Sequence, residues 1–253
     1  MAKMTLLEIV QDILSDMSSD EVNSINDSVE SLQVAQIVKS SYYNIIDGKD
    51  YPWLYELFQM NTSGTATLPT HMRLPDTVID LKWIKYNVKK NTDTKNKFTQ
   101  IVYKTPEEFL SILDQRDSSA SEIDVITDTT GIKLNVYNDR GPMYFTSFDD
   151  DYLVFDAFDS VVESNLQNSK TQCYGKKSVA FTLSDSFTPD LPVQMFTYLL
   201  NEAKSASFLN IKQLPNAKAE QNSVSQKRKM SQEAWKIKNG ITYPHYGRKK
   251  WQC

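Results

Sequence analysis

The residues with the clearest potential for chemistry are five aspartates within 11 positions of the segment 148–159. Oxygen-rich clusters of this kind bind hard cations such as Ca²⁺ or Mg²⁺. The spacing, however, lacks the glycine and the final glutamate of the helix–loop–helix calcium loop, and three of the acids stand where a hairpin turn is expected. We therefore interpret the segment as an acidic turn. Its acids are Asp149, Asp150, Asp151, Asp156 and Asp159.

Other catalytic or ligating patterns are missing from the sequence. His71 and His245 lie among loop signals without a companion ligand, which argues against zinc binding and histidine-based catalysis. No nucleophile elbow, phosphate loop or dinucleotide fingerprint occurs. Cys173 and Cys253 indicate no disulfide framework, and we expect Cys173 to be a structural thiol. We predict no metal, no cofactor and no catalytic residue, although two distant acids converging for glycoside cleavage would leave no sequence signal.

The strongest signal is the charge of residues 227–253, which hold eight Lys or Arg and one acid in a chain of net charge −4. This local charge of +7 leaves −11 on residues 1–226. Aromatic side chains, which anchor well in partner pockets, lie on both sides of the cations near the end. The pattern favours a docking arm over residues 238–253, although a solvated terminus has a similar composition. We predict these docking residues: Tyr243, Tyr246, Arg248, Lys249, Lys250 and Trp251.

Composition places the chain among ordinary globular proteins, with 40% apolar and 24% charged residues in 253. No apolar run approaches the roughly 20 residues that cross a bilayer, so we expect no membrane partner. Glu8, Asp12 and Asp16 stand where a signal peptide would be apolar, and we expect folding in a reducing cytoplasm.

Helical periodicity dominates both ends of the chain. Apolar residues recur every three or four positions over 6–17, and a second helix is predicted from Asp27, with Glu30 completing a capping box, to Gly48. Pro52 is predicted to open a helical turn. A long helix from 188 to about 211 and a polar helix over 216–237 follow. The predicted core of the turn is Trp53, Leu54, Leu57 and Phe58.

The middle of the chain has the two-residue period of strands, interrupted by a short helix that Thr105 and Pro106 introduce. Short strands separated by turn residues predict a small antiparallel sandwich or barrel. Helices followed by strands and then helices favour an α+β fold. The predicted parts are helical 1–60, a β-rich insertion 61–187, helices 188–237 that complete a helical bundle, and the arm 238–253. The predicted strands are 79–88, 123–127, 132–137, 143–148, 152–155 and 178–183.

Several stretches resemble the head-to-tail adaptor proteins of short-tailed bacteriophages, also called tail tubular or ring proteins. The similarity is spread over nearly the whole chain, in segments that carry no catalytic motif. These segments are TLLEIVQDILSDM (5–17), DEVNSI (20–25), ESLQVA (30–35), TSFDDDYLVFD (146–156), SKTQCY (169–174) and YGRKK (246–250).

The resemblance implies a virion structural protein, assembled in the host bacterial cytoplasm. Proteins of this family form a dodecameric ring beneath the portal protein, extend the DNA channel and present the surface on which other ring or tail proteins dock. Their C-terminal segment reaches into the portal, which agrees with a docking arm over 238–253. An acidic body suits a channel wall, because it repels phosphates and lets genomic DNA slide without sequence-specific binding.

Two other functions stay open at the level of the sequence. A nucleic-acid-binding accessory protein could act through the basic arm, with Tyr and Trp stacking on bases. A tail-associated hydrolase could use acids of the β-rich insertion. Three observations would separate the three functions. A ring on the portal would indicate the adaptor, binding of DNA by the arm would indicate the nucleic-acid-binding protein, and a reacting pair of acids would indicate the hydrolase.

Overall fold

The computed structural model describes the backbone of residues 3–48, 50–149 and 151–238, and their side chains except those of 194 and 232–238. The chain divides into two compact units. The first takes its described residues from Met1–Leu54 and Val179–Cys253, and the second is Tyr55–Ser178. The first is helical and the second is rich in strands, so the predicted α+β class is confirmed. Within the described ranges, no helix combines the length and apolar character needed to cross a bilayer.

Helix α1 (Leu6–Asp16) begins where the sequence predicts it. The Thr5 hydroxyl accepts a hydrogen bond from the backbone N–H of Glu8, and the Glu8 carboxylate accepts one from Thr5 N at 2.7 Å. This reciprocal capping box satisfies two N–H groups that a helix start leaves unpaired. The apolar stripe is the packing face, and its buried residues are Leu6, Ile9, Val10, Ile13 and Leu14.

The predicted start of the second helix is wrong by one residue. Helix α2 (Val29–Asp47) is capped by Ser28, whose hydroxyl accepts a hydrogen bond from Ser31 N at 3.0 Å. The predicted cap, Asp27, instead accepts hydrogen bonds from two backbone N–H groups of the preceding loop. Both residue types favour an N-cap, and the loop contacts of Asp27 decide between them.

The polar C-terminal helix is present, and the described residues of the first unit after Pro192 form three consecutive segments. The helix predicted from residue 188 begins only at Val193 and passes into a π-helical turn, and Gln213, with a φ of +55°, lies in the left-handed region after it. A left-handed residue is a common way to end a helix. The segments are α4 (Val193–Ser207), the π-helix Phe208–Lys212 and α5 (Ala217–Lys238).

Residues 178–183, predicted as a strand, do not form one. Phe181 packs against Tyr42 of α2, with ring centroids 5.2 Å apart, and against Phe187 at 4.6 Å. Phe187 in turn accepts a backbone hydrogen bond from Leu6 N at 2.7 Å. The segment is therefore held by helices. Its alternating apolar residues imitate a strand because they are buried on one side.

The second unit contains a large curled sheet of eight strands, in the order β1-β10-β4-β5-β8-β9-β3-β2, and a small sheet of β6 and β7. Helix α3 (Pro106–Asp114), capped by Thr105 as predicted, packs against β7 and β8. The strands are β1 (Tyr55–Phe58), β2 (Asn61–Thr62), β3 (His71–Arg73), β4 (Val78–Asn87), β5 (Phe98–Tyr103), β6 (Ile123–Thr127), β7 (Lys133–Tyr137), β8 (Tyr144–Ser147), β9 (Leu153–Phe155) and β10 (Thr171–Lys177).

The predicted purely antiparallel sheet is wrong at one pairing. Strands β5 and β8 are parallel, whereas the other neighbouring strands of the large sheet are antiparallel. A parallel pair needs a long crossover, and here α3 and the β6–β7 hairpin lie between the two strands in the chain.

Five strands match predicted strands to within about two residues, namely β4, β6, β7, β8 and β9. The other five are not predicted by the sequence pattern, namely β1, β2, β3, β5 and β10. Strand β1 replaces most of the expected helical turn, of which only Pro52–Leu54 is helical. Leu57, predicted to be core, is 71% exposed because it points away from the core face of the sheet. The largest fully buried side chains of this unit include Tyr86, Phe109, Phe155, Met60, Met72 and Ile84.

Candidate partner-binding sites

Except for Lys238, whose backbone belongs to α5, the predicted docking arm 238–253 lies outside the described residues. This applies to all six predicted contact residues, namely Tyr243, Tyr246, Arg248, Lys249, Lys250 and Trp251. Their role therefore rests on the sequence, and the sites below come from the described part of the chain.

The acidic segment forms a turn. The Asp149 carboxylate accepts hydrogen bonds from the backbone N–H groups of Asp151 at 3.1 Å and Tyr152 at 3.0 Å, and from the Thr129 hydroxyl at 3.1 Å. Asp159 likewise accepts one from the backbone of its own turn. Across the described ranges, no three His, Cys, Asp or Glu side chains form a group that could hold a metal ion. The carboxylates of Asp149 and Asp159 thus stabilise the backbone of their own turns.

Asp156 forms a buried ion pair with Arg116. Arg116 Nη2 lies 2.9 Å from Asp156 Oδ2, while Nη1 donates to the carbonyl oxygens of Asp156 at 2.7 Å and Asn135 at 3.0 Å. Asp156 Oδ1 accepts hydrogen bonds from the backbone N–H groups of Met143 at 2.8 Å and Tyr144 at 2.9 Å. Each charge is therefore compensated by its partner and by backbone groups. Through these contacts the pair joins the segments around residues 116, 135, 143 and 156.

His71 is not the partnerless loop residue that the sequence predicted. It lies on β3, and its Nε2 is 2.7 Å from Asp128 Oδ1, with both side chains at most 1% exposed. Asp128 also accepts hydrogen bonds from the Thr130 N–H at 2.9 Å and hydroxyl at 2.6 Å. The two residues are 57 positions apart, so no local spacing signals the pair. Both side chains are buried, so the pair lies in the core and does not face solvent.

Cys173 lies on β10 and is buried, so the prediction of a structural thiol is confirmed. Burial raises the pKa of the thiol to about 12. The thiolate is the reactive form of cysteine, and this environment suppresses it.

A basic cleft of about 280 Å³ lies at the end of the β4–β5 hairpin. Five cationic and two acidic side chains line it. We call this site the lysine cleft, and its charged lining consists of Lys89, Lys90, Lys97, Arg140, Lys170, Asp159 and Glu163.

Two of the five cations are paired in the wall of the cleft. Lys170 Nζ lies 2.6 Å from Glu163 Oε2. Arg140 donates to both carboxylate oxygens of Asp139, at 2.7 and 3.1 Å. This hydrogen bonding lowers the pKa of Asp139, and the charge of Lys90 adds to the effect. With these two cations paired, the hairpin lysines are the cations of the cleft that are available for other contacts.

The hairpin loop fixes the backbone of these lysines. Asn87 Oδ1 accepts hydrogen bonds from Lys89 N at 3.2 Å and from Lys97 N at 3.0 Å, which brings both lysines to the cleft. Asp93, the acid of the loop, accepts a hydrogen bond from Lys90 N at 3.0 Å. The Asp93 carboxylate is therefore engaged with the turn. Among the residues with a described side chain, no carboxylate forms an ion pair with any of the three cleft lysines.

Sequence reasoning missed this site. Residues 82–97 contain six Lys and one Asp, a net charge of +5, within residues 1–226 that carry −11 in total. This run of lysines is visible in the sequence as a local positive charge. The sum over residues 1–226 is negative, and a reading based on that sum overlooks the run. The partners from residues 140 and 170 are distant in the chain.

A second surface is a row of aromatic rings on the face of the sheet opposite its core. Tyr174 stacks between Tyr55 and Trp83, with ring centroids 5.6 and 5.9 Å away. The ammonium of Lys82 lies 5.7 Å from the ring of Tyr55, and that of Lys85 lies 5.1 Å from the ring of Trp83. The ring faces are thus covered by one another and by lysines, which leaves ring edges for outside contacts.

Comparison with known proteins does not assign this chain to a family. Neither a scan against models of protein families nor a search of curated proteins found a match.

Proposed function

We propose that this protein is a head-to-tail adaptor of a short-tailed bacteriophage. In this proposal it forms a dodecameric ring on the portal, extends the DNA channel and provides the surface on which the tail docks. The observation that carries the proposal is the similarity of segments such as 5–17, 146–156 and 246–250 to that family. The protein would then be a virion component assembled in the bacterial cytoplasm.

The organisation of the chain supports this function. Both ends of the chain contribute to one helical unit, and the intervening residues fold as a β-rich unit. We propose that the helices form a bundle, that the curled sheet is a sandwich- or barrel-like insertion, and that residues 238–253 extend as a docking arm. An inserted unit of this kind gives a ring protein a second surface without interrupting its helical packing.

The polar clusters of the described residues also favour an assembly role. The buried groups that could do acid–base chemistry, His71 with Asp128 and Arg116 with Asp156, are paired with each other. A glycoside hydrolase that works with a pair of acids would need two accessible carboxylates facing a substrate cleft. The two acids of the lysine cleft do not fit this need, since Glu163 is paired with Lys170 and Asp159 accepts a hydrogen bond from the backbone of its own turn.

The proposed arm supplies the contact with the portal. Tyr243, Tyr246 and Trp251 would be buried as anchors, and the cations of 248–250 would face acidic groups of the portal. Ordering such a segment costs on the order of 2–5 kcal/mol, so one copy should bind weakly. A ring of many copies adds avidity, and assembly should rise steeply with concentration.

The test is electron microscopy of the full chain mixed with the portal protein of its phage. We expect rings seated on the portal, and we expect deletion of residues 238–253 to abolish them while circular dichroism remains that of a folded α+β protein. Normal ring assembly by the truncated protein would contradict the docking arm.

A matched pair of variants separates arm contacts from general charge. The triple variant R248Q/K249Q/K250Q should weaken assembly, whereas K227Q/R228Q/K229Q removes the same charge from α5 and should not. If the full-length arm instead bound DNA at physiological salt as tightly as it binds the portal, the alternative of a nucleic-acid-binding accessory protein would replace this proposal.

A further inference from the structure

We propose that the lysine cleft binds phosphate groups of a nucleic-acid backbone. The site lies in the body of the protein, within the β-rich unit, and is separate from the arm to which the sequence pointed. The inference concerns the ligand of the cleft and does not require that the protein form rings.

The place and the lining of the cleft indicate the form of its ligand. The cleft has a volume of about 280 Å³, lies at the end of a hairpin and is lined by five cationic side chains. It therefore suits one or two charged groups that project from a larger molecule. Phosphates spaced along a polymer have this form.

The cations of the cleft suit a ligand whose charged groups are not held in one fixed geometry. Arginine recognises carboxylates and phosphates through its planar fork, but the arginine of the cleft, Arg140, already uses its fork on Asp139. The cations left are Lys89, Lys90 and Lys97. Lysine acts as a point charge on a flexible stem and binds phosphates without demanding one geometry. Such contacts are typical of sequence-independent binding to a nucleic-acid backbone.

The loop structure lowers the cost of binding. Asn87 holds the backbones of Lys89 and Lys97, and Asp93 closes the turn at Lys90, so the three positions are ordered before a ligand arrives. Thr99 adds a hydroxyl group to the lining, and hydroxyl groups are common donors to phosphate oxygens.

The acidic character of the whole body does not prevent this binding. At physiological ionic strength, charges more than about 8 Å apart are largely screened, so the local charge of the cleft decides its ligand. That local charge is positive, because five cationic and two acidic side chains line the cleft. We therefore expect weak, salt-sensitive contacts between the cleft and the DNA backbone. Contacts of this strength would still allow DNA to move through the channel of the proposed adaptor.

The experiment measures binding of the full chain to a fluorescein-labelled DNA duplex, and to a single strand of the same sequence, by anisotropy over a range of salt concentrations. The triple variant K89Q/K90Q/K97Q should bind the duplex at least about tenfold more weakly at low salt, and the slope of log K against log salt should fall by about two to three units. The charge-preserving variant K89R/K90R/K97R should retain binding.

Two matched controls come from the same unit. Lys95 lies in the same hairpin loop but outside the cleft, and Lys133 is exposed on β7. The variants K95Q and K133Q should each leave affinity and salt slope unchanged. If the loss of affinity per lysine removed were as large in the controls as in the triple variant, binding would depend on net charge alone and the proposal would be overturned.

The arm and acidic proteins are tested as competing explanations. Lysine acetylation of the full chain with and without DNA, read by mass spectrometry, should show Lys89, Lys90 and Lys97 protected and Lys95 unprotected. Protection confined to residues 249–250, unchanged binding by the triple variant, or no DNA binding at all would overturn the proposal. Displacement of DNA by polyglutamate as readily as by inorganic pyrophosphate would also overturn it, in favour of an acidic protein ligand.

Binding to both DNA forms, or to either one, supports a phosphodiester ligand and identifies which form the protein takes. Ring assembly on the portal is a separate readout. Rings without DNA binding would contradict the proposed ligand of the cleft and would still support the adaptor function. DNA binding that depends on the cleft, without rings, would support the ligand and contradict the adaptor function.

Discussion

His71 Nε2 lies 2.7 Å from Asp128 Oδ1, and this contact joins β3 of the large sheet to the turn between the strands of the small sheet. Burial alone would raise the pKa of the Asp128 carboxyl. Hydrogen bonds from Thr130 and His71 outweigh burial and lower the pKa below its ordinary value. The contact therefore stabilises the charged carboxylate within the core.

The variant Asp128→Asn should destabilise the protein, because it removes the charge from a buried pair and leaves His71 with a poorer partner. We expect a loss of about 3 kcal/mol in the free energy of unfolding, measured in urea. The control D114N changes an exposed aspartate of α3 in the same unit and should cost less than about 0.5 kcal/mol. Equal losses in the two variants would contradict a stabilising role for the pair.

The same pair predicts the direction of a pH dependence. A carboxyl whose pKa is lower in the folded state contributes stability above its unfolded pKa of about 4, and loses it as pH falls through the folded pKa. The difference in stability between wild type and D128N should therefore be full at neutral pH and should shrink below about pH 4. Urea titrations at several pH values measure it, and a difference that is constant into strong acid would exclude this mechanism.

Removal of Arg116 should be more damaging than removal of a surface cation. The variant Arg116→Met leaves the Asp156 carboxylate buried without its counter-ion, which typically costs about 3–5 kcal/mol. The exposed control K133M should be nearly neutral. The double variant R116M/D156N should recover part of the loss, because it no longer buries an unpaired charge. The single variant D156N completes the comparison, and a loss in R116M/D156N equal to the sum of the losses in R116M and D156N would show that the two side chains do not interact.

Gly141 is required by a close approach to Val88. A Cβ placed on Gly141 would overlap with Val88 Cγ1, so the side chain or one of the two segments must move. Gly141→Ala should cost about 1–3 kcal/mol, and the added substitution Val88→Ala should restore part of it by removing the Cγ atoms. Thermal unfolding of the three variants measures the effect. Full stability of G141A alone would show that the hairpin yields freely at this point.

Cys173 should be unreactive in the folded protein. Burial raises its pKa to about 12, so little thiolate exists at neutral pH and reagents have no access. In a C253S variant, which leaves Cys173 as the single thiol, Ellman's reagent should react only after denaturant is added. Rapid labelling of the native C253S protein would show that β10 opens easily.

Local patterns in the sequence were sufficient for the elements whose stabilising contacts are near in the chain. Helices α1 and α3 carry their own caps, Thr5 with Glu8 and Thr105 with Glu108, so their starts could be predicted. Strands β6 and β7 pair across a short turn that contains Gly131, and they were predicted for the same reason. The basic, aromatic composition of the proposed arm and the similarity to phage adaptors are likewise properties of the sequence itself.

Only the tertiary structure decided which distant segments meet. Strand β10 has little period-two pattern of its own and is a strand because β1 and β4 supply its hydrogen-bond partners, whereas Phe181 and its neighbours look like a strand and are held by helices. Contacts across long loops, such as His71 with Asp128, leave no local trace because many chain paths give the same spacing. The lysine cleft is a further case, since its hairpin lysines are visible in sequence, but Lys170 and Arg140 reach them only through folding.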